Sequence, residues 1–164
     1  MVSLDALQAV PIFAGLGEDD LEKIIPLCHE EVHEGETKLF DEGSQAKILY
    51  VIEEGKVAIE VDFHVSRGMS PHPITVTEAR ANEIFGWSAL VSPHHMTASA
   101  RCMGRTKLIA IDGPKLNELL EQDPRLGLTV MRNVAQLIRA RLLSTRASLV
   151  SKEGLDLLYH LYSY

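Results

Sequence analysis

The sequence predicts a mainly β fold with flanking helices, an α+β arrangement of a small antiparallel barrel or sandwich followed by a long helix. Three observations predict it. Short runs of strand formers, punctuated by Gly, Ser and Pro, fill the middle of the chain. Helical spacing occupies both ends. A proline-free stretch of about seven helical turns begins after Pro124.

Taken in order, "SLDALQAV" opens a first helix with Ser3 as its cap. After "PIFAGLG", the stretch "EDDLEKIIPLC" sets Leu21, Ile24, Ile25 and Leu27 at helical spacing, with acids at its start where the helix dipole favours them. From His29 the period changes. "EEVHEGETKLFDEGS" is broken by Gly35 and Gly43 into short β-prone pieces. "KILYVIEEGKVAIEVDF" has two runs of strand formers joined by "EEG", a hairpin signal. "HVSRGMSPHP" reads as a loop and "ITVTEAR" as a strand. "ASARCMGRTKLIAID" supplies two more strand pieces around Gly104. In "GPKLNELLEQDP", Pro114 starts a helix and Pro124 stops it.

The long helix carries two apolar stripes. Met131, Val134, Ile138, Leu142, Thr145 and Leu149 form one; Leu126, Val130 and Leu137 form the other. Either one stripe covers the barrel while the second meets a partner helix, or both make one broad buried face. The tail "SKEGLDLLYHLYSY" has room for one short helix, with Leu155, Leu158, Tyr159 and Tyr162 on an apolar face.

Composition narrows the function. The chain has 164 residues, 46% hydrophobic and 24% charged, and a net charge of −7. That size suits one domain with its own core. The negative charge argues against nonspecific binding to nucleic acid, which needs cations on phosphates. Arg125, Arg132, Arg139, Arg141, Arg146 and Lys152 follow one another with no acid between, the pattern of a solvated helix face. No apolar run reaches the ~20 residues that span a bilayer, and the start "MVSLDALQAV" lacks a basic region and a long apolar core. The expectation is a cytoplasmic protein away from membranes. Cys28 and Cys102 lack metal or disulfide spacing and read as half-buried thiols. Seven histidines show no HExxH spacing. "SPHHMT" places Ser92 beside His94 and His95 without a nucleophile elbow or an orienting acid, so an enzyme is not expected.

Three stretches carry a resemblance. They are "EGSQAKILYVIEEGKVAIEV", "IFGWSAL" followed by "TASA", and "LLEQDPRLGLTVMRNVAQLI". Together they resemble the cyclic nucleotide-binding domain of catabolite-activator-type regulators, kinase A regulatory subunits and cyclic-nucleotide-gated channels. The resemblance covers about Val10 to Leu149. It implies a β-roll or jelly-roll barrel over residues 29–112, after an N-terminal helical segment (1–28). A phosphate-cassette-like loop would lie at 84–98, two further helices at 113–150, and a short tail at 151–164.

The resemblance also implies a chemistry. A glycine lets backbone approach the ligand, and a short helix after it aims N–H groups at the cyclic phosphate. A glutamate next to that glycine takes the ribose hydroxyl, and an arginine at the cassette's end pairs with the phosphate. Here Trp87 stands at the glutamate position and Met96 at the arginine position, while Ala89, Leu90, Thr97 and Ala98 fit the pattern. The candidate ligand residues are therefore Phe85, Gly86, Trp87, Ser88, Ala89 and Leu90, with Met96, Thr97 and Ala98. A charged hydrogen bond to phosphate contributes roughly 1.5–3 kcal/mol, so cyclic AMP or GMP should bind about 10- to 100-fold more weakly.

Replacements for the arginine are few. Arg101 lies at an odd offset from Met96, on the opposite face of a regular strand. His94 and His95 are auxiliary candidates, read as loop residues facing water. Arg141 falls near the helix positions that reach the base in bacterial relatives, but is expected to point at solvent. Trp87 either walls the ligand space or plugs it; the outward aim of the glutamate it replaces favours a wall.

The function expected is a non-catalytic sensory module for a small ligand, a cyclic nucleotide or another, with no fixed cofactor and no metal. It would pair as a homodimer through the 125–150 helix. The alternative is a protein-interaction module with a closed pocket. A DNA-binding regulator is not expected, since the tail is too short for a three-element recognition unit.

Overall fold

The computed structural model describes residues 2–63 and 72–162, with the side chains of 153–162 outside that description. The expected loop "HVSRGMSPHP" falls on the undescribed residues 64–71, and its last two residues already belong to a strand.

Two short helices lead in. The first, α1 (Leu4–Gln8), is capped by Ser3, whose Oγ accepts from the Ala6 N–H at 3.2 Å. The second, α2 (Glu18–Ile24), carries Glu18, Asp19 and Asp20 in its first turn. Asp20 is buried, and it ties α2 to the last helix. Its Oδ1 accepts from Arg125 at 2.7 Å and from Lys23 at 3.4 Å, while Lys23 reaches Asp123 at 3.0 Å. The hydrogen bond from Arg125 holds the Asp20 carboxyl below its ordinary range despite burial, which pushes the other way.

Among the described residues, eight strands form two antiparallel sheets, as expected of the barrel. The strands are β1 (Cys28–His33), β2 (Lys38–Phe40), β3 (Ile48–Glu54), β4 (Lys56–Phe63), β5 (His72–Arg80), β6 (Ile84–Phe85), β7 (Ser99–Cys102) and β8 (Thr106–Asp112). One sheet has the order β1-β8-β3-β6, the other β2-β7-β4-β5. The first is the middle layer, and its sequence says so. A strand buried on both faces reads as an unbroken apolar run, and "ILYVI" and "LIAI" are such runs. Leu49, Val51, Ile109 and Ile111 turn to the helices and share a core with Leu7, Phe13 and Leu126. Tyr50, Ile52, Leu108 and Ala110 turn inward, against Val57, Phe85 and Cys102 of the barrel interior. Each Leu or Ile buried this way contributes about 1.5–3 kcal/mol.

The structure corrects the expected hairpin. β3 and β4 do not pair; they belong to different sheets. Gly55 turns the chain from one to the other with φ 91°, and a Cβ there would lie 2.6 Å from the Arg105 carbonyl oxygen. The turn between β7 and β8 makes the same change of sheet beside it, and the Met103 N–H donates to Lys56 O across the two corners at 2.9 Å. The two-strand pattern with a glycine is the same for a ladder and for a corner; only the close approach of a second chain segment distinguishes them.

Asp112 caps α3 (Gly113–Gln122) by accepting from the Lys115 N–H at 3.0 Å. Asp123 does the same for α4 (Pro124–Tyr162) through the Leu126 N–H at 3.2 Å. The helix α4 runs on through the stretch expected to form a separate short helix. No glycine or proline stops it at Val150, and Gly154 alone does not break a long helix. Its buried stripe is Leu126, Val130 and Val134, with Leu137 partly covered. Val134 thus moves from one expected stripe to the other, while Met131, Ile138, Leu142 and Leu149 stay exposed. Asn133 fixes the leading segment on α4, donating to the Ile12 and Ala14 carbonyls at 2.9 Å each.

Candidate functional site

The strand β6 is two residues long, yet it aims the site. It pairs with β3 in the register Tyr50↔Phe85 and Val51↔Ile84. That pairing delivers Gly86 in the left-handed region, φ 77° and ψ 22°. A Cβ on Gly86 would lie 2.8 Å from the Ile48 carbonyl oxygen, so both the angle and the space require glycine. One 3-10 turn follows, Trp87–Ala89, in place of the short helix implied by the resemblance. Residues 43–46 close the far side. Gly43 N–H donates to Met96 O, Met96 N–H to Ser44 O and Ala46 N–H to His94 O, each at 2.8 Å.

The residues so held surround a cavity of about 60 Å³. Seven of the predicted positions line it: Phe85, Gly86, Trp87 and Ser88 on one side, Met96, Thr97 and Ala98 on the other. Ala89 and Leu90 do not. Ala89 packs with Ala46 and Met96, and Leu90 joins the core on the helix side. They fit the pattern because the turn must pack, which is a different reason from contact with a ligand. Three lining residues were not foreseen: Phe40 from β2, Ile59 from β4 and Thr77 from β5. Alternation in β5 would have turned Ile74 and Val76 inward, yet these are exposed and Thr77 lines the cavity.

The floor is aromatic. Phe85 stacks on Tyr50 with centroids 5.0 Å apart and an interplanar angle of 9°, and Phe40 lies 6.1 Å from Phe85. Met96 is 5% exposed and packs with Phe40, Ala46 and Ala89. Its Cε comes within 3.6 Å of where a Cβ of Gly86 would sit, so the thioether covers the glycine backbone. Trp87 is half-buried, one side on the helix-facing core and another on the cavity.

The charged groups near the site are arranged as follows. Arg101 is committed elsewhere: it pairs with the buried Glu60 and, at 2.8 Å, with Glu36. The ring of His94 turns to the Ala89 carbonyl, 3.2 Å from its Nδ1, and His95 sits 2.9 Å from the Pro93 carbonyl; neither lines the cavity. Arg141 does line it. Its Nη1 donates to Thr77 Oγ1 at 3.1 Å and its Nη2 lies 3.5 Å from Glu83 Oε2, with the side chain 25% exposed. That corrects the expectation of a solvent-facing Arg141. The helix face is polar in sequence, but β5 rises beside it and supplies the hydroxyl. Among the described residues that line the cavity, Arg141 is the one cation, and the cassette positions on it are uncharged.

Comparison with known proteins agrees with this frame. The family model described as "Cyclic nucleotide-binding domain" matches residues 30–123. A solved structure from Geobacter metallireducens, described as cyclic nucleotide-binding, is similar at 31% identity and a TM-score of 0.73, over 87% of this chain and 99% of that one. The Thermus thermophilus catabolite activator protein is similar in fold, at 24% identity and a TM-score of 0.64, over 90% of this chain and 62% of that one. Among curated proteins, one described as a potassium channel protein of Rhodopseudomonas palustris is 25% identical over 142 residues, and Glutaminase 1 of Bradyrhizobium diazoefficiens is 26% identical over 139. Those stretches are 86% and 84% of this chain but only 32% and 21% of the two relatives.

Proposed function

The chain belongs to the cyclic nucleotide-binding domain family, and we propose that it is a regulatory module that binds a small ligand and has lost strong affinity for cyclic AMP and GMP. The family fold supports a regulatory or sensory ligand-binding module. The observation that carries the finer reading is Met96. It occupies the arginine position, is buried among apolar neighbours, and lies over Gly86. A phosphate arriving there would lose its hydration and meet a thioether. The proposed ligand wall is Phe85 to Ser88 with Met96 to Ala98. Binding is favoured over catalysis because the Ser92, His94 and His95 cluster has no orienting acid, and His94 is turned to a carbonyl. The resemblance to Glutaminase 1 spans only a fifth of that protein and brings no activity with it.

A homodimer through α4 is part of the proposal, supported by the exposed Ile138, Leu142 and Leu149. A cytoplasmic setting is supported by the free thiols Cys28 and Cys102; no helix among the described residues is long and apolar enough to cross a membrane. One observation favours a second reading, an interaction module with a closed pocket. The cavity, about 60 Å³, is far smaller than the roughly 300–1,000 Å³ of ligand sites. Calorimetry with cyclic AMP at micromolar protein tests the first reading. Heat absent or a dissociation constant well above 1 μM is expected; one below about 1 μM, roughly 8 kcal/mol of binding, would show that other groups replace the missing pair.

A further inference from the structure

Three spaces meet at one side chain. Arg141 lies on the wall of the cassette cavity, of a groove of about 510 Å³ between β5 and α4, and of a groove of about 440 Å³ between Pro11 and α4. It is the partition between the small inner cavity and two much larger outer ones. The inner cavity alone holds a few waters; joined to either groove it reaches the size of a ligand site.

Arg141 is also held loosely for a partition. A guanidinium has five N–H donors. Among the described residues, its bonds are the one to Thr77 and the contact with Glu83 at 3.5 Å, the limit of a hydrogen bond. Moving it costs little. The groove between β5 and α4 favours negative charge: among the described residues its walls carry two cations, Arg141 and Lys152, five hydroxyls including those of Thr77 and Ser144, and no carboxylate. The inner cavity has the opposite character, with Phe40, Ile59, Phe85, Met96 and Ala98 around it.

We infer that Arg141 receives the charged group of the ligand, at the opening between β5 and α4, so that the ligand is an organic anion with a flat apolar body. The body seats on the aromatic floor beside Met96 and Trp87. The anion takes guanidinium N–H groups that neither Thr77 nor Glu83 engages. The ligand's polarity is then reversed from the order the cassette resemblance implies, in which charge lies deepest. This inference rests on the cavity being a ligand site, as proposed above.

Two probes with one body test it. The anion 8-anilinonaphthalene-1-sulfonate and neutral N-phenyl-1-naphthylamine share their rings and differ in the sulfonate. Both are titrated into the whole chain, read by their own emission and by quenching of Trp87, the single tryptophan. Ala98→Leu, which fills the cavity, should remove binding of both. Arg141→Gln should weaken the sulfonate by at least about 10-fold, as loss of a charged hydrogen bond does, and leave the neutral amine within twofold. Arg141→Lys should fall between. Retained binding of the amine shows that Arg141→Gln still folds. If Ala98→Leu removes both probes but Arg141→Gln spares the sulfonate, the pocket stands and the assignment of Arg141 falls. If neither probe quenches Trp87 or responds to Ala98→Leu, both the assignment and the ligand-site reading fall.

Discussion

Placing an arginine at Met96 is the sharpest test of the proposed loss of cyclic nucleotide affinity. Met96→Arg puts a guanidinium where a 5% exposed thioether now packs on Phe40, Ala46 and Ala89. Two opposed effects follow. Removing a buried methionine and forcing a cation among apolar neighbours should cost about 2–4 kcal/mol of stability, since the long stem recovers part of the packing. At roughly 2–4 °C per kcal/mol for a chain of this size, the melting midpoint should fall by about 4–16 °C. Against that, the new charge gives the phosphate a partner contributing about 1.5–3 kcal/mol. The partner is close to the glycine backbone, because the present Cε already lies 3.6 Å from the Gly86 Cβ position.

Thermal shift with cyclic AMP separates the two effects. Ligand at 100 times the variant's dissociation constant stabilises the variant by about 2.7 kcal/mol. The wild type, binding 10- to 100-fold more weakly, gains only about 0.4–1.4 kcal/mol at the same concentration. The variant should therefore start lower and rise further. Adding Trp87→Glu should widen the gap, because the ribose hydroxyl regains its acceptor. A folded Met96→Arg variant whose midpoint moves no more than the wild type's would refute this reasoning. The cassette would then be closed by its shape, and not for want of a charge.

Further outcomes are expected elsewhere. Arg125→Met leaves the buried Asp20 with Lys23 as its remaining cation among the described residues and should lower stability at pH 7. Because the folded Asp20 titrates below its ordinary value, that contribution is full above the unfolded pKa and fades as pH falls through the folded one; the gap between urea melts of the two forms should shrink as pH falls below the ordinary aspartate range, and a constant gap would contradict the ion-pair account. At the alkaline end, burial pushes the Cys28 thiol and the Tyr50 phenol each up to about 12. The unfolded groups release protons from about pH 9–10, so the folded state holds more protons and stability must fall between pH 9 and 12. Stability rising over that range would be inconsistent with buried protonated groups, as would fast labelling of Cys28 by a thiol reagent at pH 8. Ile138→Glu with Leu142→Glu should convert a sedimenting dimer to monomer; a wild type that already sediments at 18.2 kDa would remove the proposed pairing through α4.

Much of the fold is legible in the sequence because its causes are local. Ser3 announces a cap, Pro114 announces the start of α3, and the two runs of "KILYVIEEGKVAIEVDF" announce strands. The helix α4 needs only an uninterrupted run after Pro124. What escaped reading is the meaning of a glycine between two strands. Gly55 is needed because a second corner passes 2.6 Å from its missing Cβ, and that neighbour, Arg105, is fifty residues away. Separation in sequence also hid Phe40 and Ile59 from the site, while Thr77, close to Phe85 in the chain, was hidden by lying on the strand face opposite the apolar Ile74 and Val76.

The cassette shows a second kind of limit. Sequence alignment by motif treats each position as facing the ligand, yet packing divides them. Ala89 and Leu90 keep the pattern because one fits under the loop and the other in the core. Met96 breaks it and fills the space with apolar atoms. Arg141 lies outside the motif altogether. Its neighbours on α4, Arg139 and Leu142, are exposed, so helical counting alone assigns it to water. The deciding residue is Thr77, on the edge strand β5. Its hydroxyl accepts from Arg141, which thereby joins the lining of the cavity. Under the proposed assignment, the chemistry of what enters the cavity is set by Arg141, the one cation among its described lining residues.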